Sequence, residues 1–365
     1  MLRFLACIVC CALYSISANA QNKPIRIAVA GISHGHSTWI LGHKPQNDFT
    51  LVGVYEPNKA LAQKSAKQYK LDEKLFSDNL DKMLDEVKPD AVVAFGSIYD
   101  HLAAVKACAP RGIHVMVEKP LAVSVADAME MEALAKKYNI ILLTDYETSW
   151  YPATAKAYQM IYDSSYIGGL RKAVFHHGHE GPKEIGVSDE FFEWLTDPVK
   201  NGGGAIIDFG CYGANLMTWL TKGVQPLSVT AVTRQYKPNI YPKVDDDAVI
   251  LVTYPDAEAV IQASWNWPFG RKDMELYGTT GYVNTINNSL MRIKRKEDKT
   301  EQLRAYTTKD IAVYEDPFNY FVDVIRKKMV VKDYDLYSLS NNVLVVKILE
   351  AAKESAKTGK TVFFK

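Results

Sequence analysis

Cysteine is the first scarcity in this chain. Its 365 residues include 5 cysteines, and Cys7, Cys10 and Cys11 fall within the first 20 positions. Cys108, in a helical segment, and Cys211, in a glycine-rich motif, cannot make a disulfide framework, and both are expected to be reduced. An excess of either charge is missing too. The 43 Lys and Arg face 42 Asp and Glu, which argues against nucleic acid as the main partner. Long apolar runs are absent after residue 20, so no membrane span is expected in the mature chain. The run from Phe4 to Tyr14 is too short to span comfortably. It follows a single charge, Arg3, and precedes Ala18-Asn19-Ala20, which has the small residues of a cleavage site. Residues 1–20 therefore read as a secretory signal peptide, and the mature chain is expected to be exported, periplasmic or secreted. What is plentiful is aromatic: 13 Phe, 21 Tyr and 6 Trp can build a core without staples. The length allows two domains.

From Pro24 to about Asp145, short apolar runs alternate with amphipathic stretches. Ile25–Ala30, Leu51–Tyr55, Ala91–Phe95, the run around Val115 and Ile140–Leu143 read as strands. Ala60–Tyr69, Leu80–Val87, Leu102–Ala109 and Ser124–Tyr138 read as helices, with Ser124 as an N-cap. Such alternation predicts an α/β domain, residues 23–145, with a doubly wound parallel sheet that binds ligands beyond the carboxyl ends of its strands. From 146 to 365 the pattern changes. Ser228–Arg234, Ala248–Tyr254, Ala259–Asn266 and Asp273–Gly278 alternate as strands of a mostly antiparallel sheet. Helices over Phe318–Lys328 and Leu339–Lys357 close the chain and can pack back on the first domain. This second domain is α+β.

A phosphate-binding turn belongs after the first strand. Gly31-Ile32-Ser33-His34-Gly35-His36 stands there, but an intact G-x-G-x-x-G is lacking. Gly31 fits the first position, Ser33 stands at the second and His36 at the third. Ser33 still allows approach to a pyrophosphate and has a hydroxyl to donate. His34 and His36 are further candidate cofactor contacts, and backbone N–H groups of the next helix remain available to an anion. Glu56 ends the second strand at about the offset of a ribose-binding carboxylate. An acid there favours NAD, while Asn58 and Lys59 keep NADP open.

Two further motifs carry chemistry. Glu118-Lys119-Pro120 follows a buried strand, and a desolvated Lys can become an acid or base. Gly202-Gly203-Gly204 leads into a helix on which Asp208 and Tyr212, four apart, share a face. With these residues the chain resembles the glucose–fructose oxidoreductase / inositol dehydrogenase / MocA (Gfo/Idh/MocA) oxidoreductases. The resemblance implies a Rossmann-type NAD(P)-binding domain and a substrate domain with a large sheet, through which copies can pair as homo-oligomers. It makes Lys119, Asp208 and Tyr212 the catalytic set, with Lys119 or Tyr212 as acid/base. It adds Ser97, His101, Glu118 and Lys119 to the cofactor contacts, and places His177 and His179 in a sugar pocket. Glu147, Trp150, Tyr151, Trp194, Trp265, Asn266, Trp267 and Arg271 are expected to help line that pocket, with Asp208 and Tyr212. Metal is not expected: His176 faces away from His177 and His179 on a strand, and no Cys or Asp cluster matches them.

The expected function is hydride transfer at a hydroxyl of a sugar, polyol or glycoside, with a tightly held cofactor that survives export. One alternative is an NAD-dependent enzyme that cleaves glycosides by transient oxidation and elimination. Another is a carbohydrate-binding protein that has lost its cofactor.

Overall fold

The computed structural model describes residues 23–43 and 48–365; the expected signal peptide lies outside the described residues. The first part of the chain runs β1 (Ile25–Ala30), α1 (Ser37–Leu41), β2 (Phe49–Tyr55), α2 (Lys59–Tyr69), β3 (Phe76–Ser77), α3 (Leu80–Val87), β4 (Ala91–Ala94), α4 (His101–Cys108), β5 (His114–Glu118), α5 (Val125–Tyr138) and β6 (Leu142–Asp145). The strands form one parallel sheet in the order β3-β2-β1-β4-β5-β6. This is the Rossmann order, and its ligand crevice lies where the order reverses, between β1 and β4. Ile27, Val29, Val92, Val93 and Val115 are fully buried, as strands covered on both faces require. Each such side chain contributes roughly 1.5–3 kcal/mol. The helices begin where polar side chains can take their free N–H groups. Asn58, Asn79 and Ser124 cap α2, α3 and α5, each worth about 1 kcal/mol.

The second part contains α6 (Pro152–Tyr162), β7 (Leu170–Gly178), α7 (Asp189–Leu195), α8 (Ala205–Asp208) and α9 (Gly210–Leu220). It continues through β8 (Ser228–Arg234), β9 (Asp247–Thr253), β10 (Glu258–Ser264), β11 (Arg271–Gly278), β12 (Gly281–Thr285), β13 (Leu290–Arg295) and β14 (Gln302–Ala305). Then come α10 (Pro317–Ile325), α11 (Leu339–Thr358) and β15 (Val362–Phe363). The nine strands are ordered β14-β13-β12-β11-β7-β10-β9-β8-β15. All neighbours are antiparallel except β7 and β10. Both closing helices return to the first domain: Phe318, Phe321 and Val322 of α10 fill one face of the parallel sheet, and Val343 and Val346 of α11 the other.

Three local departures from the sequence reading matter for the site. The strand expected at Ile140–Leu143 starts two residues later, because Asn139 adopts φ 51° and Ile140 N–H bonds back to Ala135 O. That shift sets Asp145 beside Glu118 in the sheet. The helix after the three glycines is broken at Phe209. Strands β12 to β14 and helices α6 and α7 were not foreseen.

Candidate active site

The cofactor turn is built on backbone. Gly31 has φ +77°, and a Cβ there would stand 2.7 Å from Gly96 Cα, so glycine alone fits. Gly31 N–H donates to Tyr55 O and His34 N–H to Phe95 O, stitching the turn to the ends of β2 and β4. Ile32 N–H donates to Glu56 Oε2 at 3.0 Å and Asn58 N–H to Oε1 at 2.9 Å. Burial pushes the Glu56 carboxyl up against the pull of these two donors. Gly31, Ser33, Glu56 and His101 line a cleft of about 190 Å³ beyond the strand ends. Among the described residues no acceptor meets the N–H of Ser33 or Gly35. A close-approach glycine, two free amides and a carboxylate fit a dinucleotide's pyrophosphate and ribose.

Not every candidate contact reaches that cleft. Ser97 Oγ donates to Asp100 Oδ2 at 2.6 Å, so its one hydroxyl proton is spent on a local cap, and Ser97 does not line the cleft. His101 Nδ1 bonds Leu121 O at 3.1 Å, while its buried Nε2 has no partner among the described residues. His34 and His36 turn instead toward Glu118: His36 Nδ1 lies 2.7 Å from Glu118 Oε1. Burial pushes the His34 imidazole down to about 3, so it is neutral. Burial alone would raise the Glu118 carboxyl, but His36, which also hydrogen-bonds it, and Lys119 hold it below its ordinary value. So a cluster of metal-ligand side chains does exist here, in the turn and not in His176–Glu180 where it was considered and set aside. Helix α7 covers this cluster, with the Phe191 and Trp194 rings 4.5 and 5.8 Å from that of His34. Tyr99 N–H donates to Lys200 O, so segment 188–201 straps across from the turn to the loop after β4.

The reaction centre joins the two domains. The peptide bond Lys119–Pro120 is cis, and Lys119 Nζ donates to Asp208 Oδ1 at 2.5 Å and to Asp208 O at 3.0 Å. The break at Phe209 makes the second bond possible: Tyr212 N–H pairs with Phe209 O, which leaves Asp208 O for Lys119. Gly204 seats the turn before it, since a Cβ there would meet Asp245 O at 1.8 Å. Asp245 accepts from Gly204 and Ile206 N–H, a cap the sequence did not reveal. Trp265 Nε1 donates to Asp208 Oδ2 at 2.9 Å. Burial raises a carboxyl, but Lys119 more than offsets it and holds Asp208 below its ordinary value. Burial likewise pulls the Lys119 ammonium down, and Asp208 more than restores it. The resting pair is an ammonium and a carboxylate. An ammonium has three donors, and two are taken.

Tyr212 stands between two lysines. Lys119 Nζ and Lys272 Nζ each lie 5.2 Å from its ring centroid. Burial, then the nearby Glu147 carboxylate, push its phenol well above the ordinary value, so it stays protonated. Lys272 forms an ion pair with Glu147, and both line a cavity of about 710 Å³ with Tyr151, His179 and Arg271. Tyr151 donates to Glu147 Oε1 at 2.5 Å, and Arg271 clasps Asp273 through two bonds of 2.8 and 2.7 Å. Glu147 is an expected pocket residue; Lys272 was not foreseen, although it flanks Arg271, which was. Several expected pocket residues do not line this cavity: Asp208, Tyr212 and Trp265 are buried in the reaction centre, Trp194 packs on His34, and Asn266 and Trp267 lie outside the lining. Trp150 and His177 lie elsewhere as well. Trp150 donates to Asp145 Oδ1 at 3.1 Å and stacks on Tyr337, so it is core. His177 is fully buried, with its ring 5.4 Å from that of Tyr212; it stands behind Tyr212 and does not line the cavity.

Comparisons with known proteins agree with this geometry. A family model described as "oxidoreductase family, NAD-binding Rossmann fold" matches residues 25–146, and one described as "GFO/IDH/MocA C-terminal domain" matches 155–284. A trans-1,2-dihydrobenzene-1,2-diol dehydrogenase of Sus scrofa is 26% identical over 231 residues, 63% of this chain and 64% of that protein. The match thus spans under two thirds of that relative. Among solved structures, an inositol dehydrogenase homolog of Azotobacter vinelandii complexed with NAD+ aligns with a TM-score of 0.79 at 16% identity, over 94% of this chain and 98% of that one. An aldose-aldose oxidoreductase of Caulobacter crescentus aligns with a TM-score of 0.75 at 20% identity, over 94% and 100%. At such identities these structures speak for the fold.

Proposed function

This chain belongs to the Gfo/Idh/MocA oxidoreductases and has their NAD-binding Rossmann domain, and from that premise we propose that it oxidises or reduces a hydroxyl-bearing carbon of a sugar, polyol or glycoside. The observation that carries the reading is the third donor of Lys119. The ammonium is buried, fixed by Asp208 through two bonds, and free to meet one substrate oxygen. Burying that charge without Asp208 would cost several kcal/mol.

When bound, the nicotinamide supplies the hydride acceptor or donor. The chain supplies the rest. Gly31, Ser33, Gly35 and Glu56 hold the dinucleotide, with NAD favoured over NADP by the Glu56 carboxylate. Lys119 carries the proton: it donates to the carbonyl oxygen during reduction and takes the hydroxyl proton during oxidation once it is neutral. Asp208, oriented by Trp265, keeps the Lys119 Nζ aimed. Tyr212 holds the substrate oxygen as a neutral donor, and its raised phenol supports Lys119 over Tyr212 as the acid/base. Glu147, Tyr151, His179, Arg271 and Lys272 give the large cavity both donors and acceptors, which suits a polyhydroxylated substrate.

We further propose that the mature chain works after export with its cofactor retained, a role that suits the strap 188–201 over the turn. Among the described residues no helix is long and apolar enough to cross a membrane. The test is product analysis after incubation with aldoses, polyols and glycosides. The reading expects a keto product, lost in K119A. Unchanged turnover in K119A would remove the proposed centre.

A further inference from the structure

The turn that departs from the glycine pattern has gained metal-ligand side chains. His34 and His36 from the turn and Glu118 from the end of β5 each offer one ligand atom, and these atoms lie within 4.8 Å of one another. His36 Nδ1 is 2.7 Å from Glu118 Oε1, and His34 Nε2 is 4.0 Å from Oε2. Donors about 2.0–2.2 Å from a tetrahedral ion stand roughly 3.4 Å apart, a spacing within the mutual reach of these three side chains once the His36–Glu118 hydrogen bond gives way to the ion. Two imidazoles and one carboxylate are the set that zinc and its first-row neighbours take.

The surroundings fix the ligands, as metal sites require. Trp39 stacks on His36 with centroids 3.8 Å apart, and Phe191 closes on His34. Lys119 N–H donates to Glu118 Oε2 at 3.1 Å. His36 N–H donates to His34 Nδ1 at 3.0 Å. With Nε2 on a metal, His34 carries its proton on Nδ1, so that bond opens and His36 N–H joins Ser33 and Gly35 as an anion donor.

We infer that His34, His36 and Glu118 bind one divalent transition-metal ion of the zinc class, whose open position takes an anionic oxygen. On the functional reading above, that oxygen belongs to the dinucleotide's pyrophosphate. The ion then supplies the positive charge that a glycine-rich turn supplies through backbone donors. The site itself does not depend on that reading; only its fourth ligand does.

The test uses the mature protein, stripped with a chelator and titrated with Co2+. One ion per chain is expected, with the visible absorption of low-coordinate cobalt. H36Q and E118Q should each weaken binding at least about tenfold while keeping the wild-type circular dichroism. H176Q, on the other face of its strand, should bind as wild type does. No cobalt spectrum in the wild type, or equal binding in H36Q and E118Q, overturns the site and leaves the trio as a hydrogen-bonded clasp. Nucleotide released on denaturation is measured separately. Metal without nucleotide keeps the site and removes the cofactor reading; nucleotide without metal does the reverse.

Discussion

Two walls of this molecule, a reaction wall around Lys119 and a cofactor wall around Gly31, follow the family pattern to different degrees. The reaction wall has the full set: Lys119, Asp208 and Tyr212, with side chains from both domains locked to one another. The cofactor wall has kept the path of the backbone and changed its side chains. Gly31 still turns at φ +77° against Gly96, but Ser33 and His36 stand where two glycines would. Chemistry depends on particular side chains at particular atoms. Holding a phosphate depends on where the backbone goes, and that tolerates substitution wherever a Cβ finds room.

Breaking the reaction wall should have the largest effect. K119A removes the proposed proton carrier and should lower kcat/KM by about 10²–10⁴. It also strands the buried Asp208 carboxylate, at about 3–5 kcal/mol of stability, read by thermal unfolding. W265F is the milder probe of the same wall. Losing the donor to Asp208 Oδ2 should lower kcat about tenfold and move any acid limb of the pH profile upward, because the charged carboxylate has lost a donor. An unshifted profile would mean that Trp265 only fills space.

The pair also sets a pH dependence. The Asp208 carboxyl is depressed, so its stabilisation is present above the unfolded value near 4 and is lost as pH falls through the folded one. The Lys119 ammonium is raised, so its stabilisation is present below the unfolded value near 10.4 and is lost as pH rises through the folded one. Melting temperature should therefore owe no slope to this pair between roughly pH 5 and 10. Oxidation should still be climbing with pH at the top of that window, since Lys119 must lose a proton to act as base. A plateau near neutrality would assign the base elsewhere.

On the cofactor wall, F191A opens the strap. It should speed nucleotide release about tenfold, on the scale of a lost aromatic contact of about 1.4 kcal/mol, with kcat little changed. Trp150, once a pocket candidate, should matter least: W150F removes its bond to Asp145 for about 1 kcal/mol and leaves kcat within about twofold.

Much of this was legible in the sequence, because the first domain is made of short-range signals. Leu80–Val87 is helical to the residue, Ser124 caps α5, and the parallel strands are plain apolar runs. The motifs around Lys119 and Asp208 announced the reaction wall. What stayed hidden comes from long-range contact. Trp265 was expected as a ring in the pocket, and only folding brings its indole N–H to Asp208. Lys272 becomes notable only when β11 pairs with β7 and sets it across from His177. Trp150 and His177 misled for the converse reason: composition favours aromatics in a sugar pocket, and neither residue type reveals which side of a wall it fills. The helix break at Phe209, inside a stretch read as one helix, frees Asp208 O for Lys119, 89 positions distant in sequence.

The measurement that bears most directly on the central claim is mass spectrometry of small molecules released by denaturing the protein. The account predicts NAD near one per chain, with NADP minor because the Glu56 carboxylate lining the cleft would repel a 2′-phosphate. No nucleotide recovered, and none bound on titration, would contradict it: the altered turn would then mark a sugar-binding protein that no longer carries a dinucleotide.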